Sequence, residues 1–178
     1  MISFDHEVWS EFTSSTAARD ELLECFSRLY ENADDEEMWT QLYDDLHYQG
    51  DITQISYAAV PHILEIERKA HKFNFNGFAL IALIEHCRST NEQPRAGEIA
   101  DAYKKALNDV LTVVANNPLK EWDDRLTASI LACIAFAHGH RLKGWVLHQF
   151  TEPYAKDWIL ANYNETDETL ADYANSLL

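Results

Sequence analysis

The sequence predicts an all-α fold: an α-solenoid of antiparallel helical hairpins, about eight or nine helices forming a single domain over residues 1–178. Three observations predict it. Apolar residues recur at spacings of three and four along nearly the whole chain, and no segment alternates as a half-buried strand would. Turn residues interrupt that pattern at roughly helix-length intervals, as hairpins stacked side by side require. Gly50 and Gly139 each follow a strongly apolar stretch and lie 89 residues apart, near two units of a helical repeat of roughly 40 to 47 residues.

Taken in order, Thr16 caps a first helix that runs to about Glu31, with Leu22, Leu23, Phe26, Leu29 and Tyr30 as its inner stripe. Asp34, Asp35, Glu36 and Glu37 open the second, where carboxylates meet the positive end of the helix dipole. Met38, Trp39, Leu42, Tyr43 and Leu46 form its buried side, Glu37, Gln41, Asp44 and Asp45 its outer side, and Gly50 is expected to end it. A third helix spans about Gln54 to Phe73, with Pro61 near its start or at a kink. The fourth, Phe78 to Arg88, is apolar on nearly every side. Ile99 to Val114 mark the fifth, closed by Asn116-Asn117-Pro118. The sixth, Trp122 to His138, has an apolar centre (Ile130, Leu131, Cys133, Ile134, Phe136) expected to be buried, and Gly139 ends it. Shorter helices are expected over Arg141 to Phe150, Tyr154 to Tyr163, and from Thr166 onward.

A chain of 178 residues buries enough surface to fold without metal or disulfide. Cys25, Cys87 and Cys133 are odd in number and lie in apolar helical patterns, which predicts buried, reduced thiols and a cytoplasmic setting. The amino terminus lacks a basic stretch followed by an apolar one, and the longest apolar run, Ile130 to Ala137, has eight residues, so neither a secretory signal nor a membrane span is expected.

Charge is the main functional clue. The formal net charge is −16, and its distribution is uneven: residues 1–50 hold thirteen acids and two bases, residues 151–178 hold six acids and one base, and the middle is balanced. Such a surface repels phosphate backbones and anionic lipid, which argues against nucleic-acid and membrane partners. The adjacent basic pairs Arg68-Lys69 and Lys104-Lys105 stand among balancing acids. Crowding thirteen carboxylates into fifty residues costs stability through repulsion, a cost that a basic partner removes.

Catalytic and metal patterns are mostly missing. There is no His-Glu-x-x-His, Gly-rich phosphate loop, Gly-x-Ser-x-Gly or Cys-x-x-Cys. His62 and Glu65 are one turn apart and read as a pair on a helix surface, with His71 too far along to join them. Asp44-x-x-His47 has no second copy to build a two-metal site. In Glu85-His86-Cys87 the His and Cys point about 100° apart, which leaves an inert thiol. The imidazoles of His138-Gly139-His140 suit a helix end. No cofactor and no enzymatic activity are expected.

Two segments, Trp39-Thr-Gln-Leu-Tyr-Asp-Asp-Leu-His-Tyr-Gln-Gly50 and Ser56-Tyr-Ala-Ala-Val-Pro-His-Ile-Leu64, resemble a hairpin of bacterial HEAT-like helical-repeat proteins, matching at Trp39, Gly50, Tyr57, Pro61 and His62. The resemblance covers about 30 residues and implies a HEAT-like stack. Families of this kind include immunity proteins that neutralise toxins delivered between competing bacteria. Together with the negative charge loaded at both ends of the chain, the resemblance leads to the expectation of an immunity protein that occludes the active site of a cognate, basic, nuclease-like toxin domain. Asp34, Asp35, Glu36, Glu37, Asp44 and Asp45 are then the steering carboxylates, with Tyr48 and Trp158 as exposed aromatic anchors. The alternatives are an interaction scaffold with no toxin partner and a small metal-dependent hydrolase built on the scattered histidines.

Overall fold

A computed structural model describes residues 1–11, 19–117 and 121–149. The regular elements among the described residues are all helices, with a 3-10 turn at Glu7–Ser10 followed by α1 (Arg19–Glu31), α2 (Glu36–Leu46), α3 (Gln54–Lys69), α4 (Phe75–Cys87), α5 (Glu98–Ala115), α6 (Asp124–Ala137) and α7 (Arg141–Gln149). The cap expected at Thr16, the two helices expected after residue 153 and the anchor Trp158 lie outside the described residues.

Most helices pack on the next and on the next but one. α1 lies against α2 and α3, α3 against α4 and α5, and α4 against α6, while α6 packs on α5 and α7. One continuous core runs from Ile2 to Phe136. Aspartate caps hold the starts of α2 and α6: Asp35 accepts from the Met38 amide at 3.3 Å and Asp123 from the Leu126 amide at 2.7 Å, satisfying donors that a first turn leaves open.

Several expectations need correction. α2 ends at Leu46, not at Gly50. His47 turns extended, Tyr48 and Asp51 exchange two backbone hydrogen bonds, and Gln49 (φ 51°) with Gly50 (φ 94°) makes the tight turn between them. Two successive positive-φ residues mark a type I′ hairpin turn, a position for Gly that is distinct from a helix cap. Pro61 stands in the interior of α3, past the first turn. Leu131 is 42% exposed, because the outer side of α6 is not covered by a neighbour among the described residues. Gly139 does close α6, with φ 76° and its amide donating to the Phe136 carbonyl at 2.9 Å. All three cysteines are buried and free of disulfides, and desolvation pushes the Cys25 thiol up to about 11 and raises that of Cys87.

Buried polar groups tie the layers together. Glu85, 2% exposed, receives both arms of the Arg88 guanidinium at 2.7 and 2.8 Å and a short hydrogen bond from the Tyr103 hydroxyl, linking α4 to α5. Glu67 in α3 accepts from the Asn74 amide at 2.8 Å and lies against Gly77, where an added Cβ would come within 2.2 Å of its Oε1. Gly77 therefore sets how closely α3 and α4 approach.

Candidate functional site

The loops between α1 and α2, between α3 and α4, and between α5 and α6 come together at one edge of the molecule and enclose a cleft of about 1100 Å³. Asp34 and Glu36 line one wall, His71 and Lys72 the second, and Glu121 and Asp123 the third. Phe75 and the 41%-exposed Trp122 add aromatic surface. Among the lining residues four carboxylates face one ammonium, and that ammonium, on Lys72, sits 3.4 Å from Asp34. The cleft therefore carries a negative field between low-dielectric walls, which focuses attraction on cations.

The structure divides the sequence-predicted residues between two places. Asp34 and Glu36 line the cleft, and Glu36 also accepts from the Asn76 side chain at 2.9 Å. Asp35 caps α2 and, with Glu37, pairs with Arg28 at 2.7 and 3.4 Å, so part of the opening acidic run is committed internally. Asp44, Asp45 and Tyr48 belong to the other end of α2. Asp44 and the 68%-exposed Tyr48 face solvent. Asp45 is half-buried, and its Oδ2 is shut from solvent with no hydrogen-bond partner among the described residues. Desolvation, reinforced by Asp44 and Glu21, raises its carboxyl to about 6 against a hydrogen bond from Gln41.

Sequence reasoning missed Glu121, Trp122 and Asp123. They fall in the electroneutral middle of the chain, where segment counts hide a local acidic group, and Trp122 was assigned only to a helix start. The signal was an aromatic residue between carboxylates immediately before a helix.

His62 departs from its expected surface pairing with Glu65. It is 2% exposed, and its Nε2 lies 2.7 Å from the Ile2 carbonyl oxygen, while its Nδ1 lies 2.9 Å from the Tyr30 hydroxyl. A carbonyl only accepts, so Nε2 carries the proton and Nδ1 accepts from Tyr30. Phe4 stacks on the ring at 4.2 Å between centroids. Burial lowers this imidazole to about 4, opposed by the bond to Ile2. His62 thus fastens the amino-terminal segment to α1 and α3. Among the described residues, no group of three or more His, Cys, Asp or Glu side chains is placed to share a metal ion, and no helix is long and apolar enough to cross a membrane.

Comparison of the chain with known protein families, curated proteins and solved structures returns no match.

Proposed function

We propose that this chain is an immunity protein: a cytoplasmic, non-enzymatic stack of HEAT-like hairpins, eight or nine helices in one domain, that binds a cognate basic toxin domain and blocks its active site. The observation that carries the reading is the cleft, where acidic and aromatic side chains from three consecutive hairpin loops surround a space large enough for a protruding segment of a partner. Such a surface gives fast, steered association with a cationic protein and excludes nucleic acid from the same place. The solenoid reading draws on the packing order, in which α3 meets α5 and α4 meets α6 as equivalent helices of successive hairpins would. Asp34 and Glu36 act at the cleft in this reading, and Asp44 and Tyr48 act only if the partner extends along α2.

A second reading, an interaction scaffold without a toxin partner, is favoured by the exposure of the large apolar side chains Leu131, Leu142 and Val146 on α6 and α7. For an immunity protein of this kind, a long secreted protein with a basic carboxy-terminal domain is expected to be encoded immediately upstream, and the test mixes that domain with the purified protein. The expected result is a one-to-one complex that abolishes the toxin's activity. Full toxin activity at a molar excess of this protein overturns the immunity reading.

A further inference from the structure

We infer that the cleft takes an arginine side chain of its protein partner, stacked on Trp122 and held by the surrounding carboxylates. The inference rests on reading the cleft as the partner-binding site, but it does not depend on what the partner does. Trp122 stands between Glu121 and Asp123 in the chain and presents an exposed indole at the cleft wall, with Asp34 and Glu36 contributed from the α1–α2 loop across the cleft. A flat aromatic surface beside carboxylates suits the guanidinium, which is planar and weakly hydrated and can stack while its N–H groups donate sideways. The same stacking occurs beside the cleft, where the guanidinium of Arg125, itself not a lining residue, lies 3.9 Å above the centre of the Phe75 ring that lines it.

The charge pattern separates arginine from other cations. A divalent metal needs several ligands converging on one point, and no such group exists among the described residues. A guanidinium spreads its charge over five donors, so carboxylates set apart around a groove serve it well. Lysine satisfies the same field as a compact, strongly hydrated point charge and gains less from the indole. The groove therefore distinguishes arginine from lysine through Trp122 and attracts both through its carboxylates.

The test titrates the intact protein with a blocked Gly-Arg-Gly-Arg-Gly peptide and with its lysine counterpart at equal, low ionic strength, following the Trp122 indole N–H by nuclear magnetic resonance. The expected result is a shift of that signal and roughly threefold or more tighter binding of the arginine peptide. In Trp122→Leu the two peptides bind equally, and in Glu121→Gln both bind more weakly with the arginine preference retained. Thermal melts of the variants establish that they are folded. An unmoved indole signal, equal binding of the two peptides to the native protein, or an unchanged preference in Trp122→Leu overturns the inference. A toxin that escapes inhibition while the peptides behave as described refutes the immunity reading and leaves this inference standing.

Discussion

His62 is the residue whose chemistry the fold controls most tightly. Its imidazole stays neutral down to about pH 4, whereas in the unfolded chain it accepts a proton near 6.5. Between these values the unfolded state binds more protons, so stability rises with pH there and is lost as the solution is acidified from 6.5 to 4. The full effect is about 3 kcal/mol. Urea titrations at pH 7 and pH 4.5 should show a steep loss of stability for the native chain and a shallower one for His62→Gln. Equal slopes would remove this role. Asp45 works in the opposite direction. Its folded value of about 6 lies above the ordinary 3.8, so the native state holds the proton longer and is penalised as pH rises through that interval. Because the group is half-exposed, solvent screening reduces the effect to about 1 kcal/mol or less. Asp45→Asn should therefore raise the melting temperature at pH 7.5 and change it little at pH 4.5, as calorimetry would record.

Among the elements, the contacts between helices are set by two features of different visibility. Gly77 allows Glu67 of α3 to lie against α4, and Gly77→Ala forces either the carboxylate or the helix to move. A cost of about 1–3 kcal/mol follows, as for other overpacked sites, and chemical denaturation measures it. The Glu85–Arg88–Tyr103 group joins α4 to α5. Tyr103→Phe should cost about 1 kcal/mol, the loss of one hydrogen bond. Glu85→Ala should cost more, about 2–3 kcal/mol, because it removes at once the carboxylate partner of the buried Tyr103 hydroxyl and of the partly buried Arg88 guanidinium, which keeps only Gln93. Similar losses in the two variants would contradict the network. The helices themselves were legible from the three-and-four spacing of Leu22, Phe26 and Leu29, or of Tyr103, Leu107 and Val110, because each stripe is one buried face. The acidic start of α2 was legible through the same dipole and capping rules that place Asp35 there. Tertiary contacts were not legible. Gly50 looks like a helix stop until His47 is seen to turn extended, and Leu131 looks like core until its side of α6 proves uncovered among the described residues. His62, one turn from Glu65, gives no local sign that Ile2 and Phe4 will fold over it.

For the whole molecule, the decisive property is where the charge collects in space. Segment counts identified the acidic first fifty residues, but the structure splits them: Asp34 and Glu36 join Glu121 and Asp123 at one edge, whereas Asp44 and Asp45 belong to the far end of α2. Half of the cleft's carboxylates therefore come from a part of the chain that is neutral on average, which no running count reveals. The opposite character appears beyond the cleft, where Arg125 to Gln149 contains no acid and leaves Leu131, Leu142 and Val146 exposed. The central claim is that the cleft steers a cationic protein into place. The most direct test is the association rate of the proposed basic toxin domain with the native chain and with Asp34→Lys/Glu121→Lys, followed by stopped flow at low and high salt. Fast, salt-sensitive association is expected for the native chain and, for the variant, a rate at least about tenfold lower at low salt. Equal rates for the two proteins, unmoved by ionic strength, would contradict it.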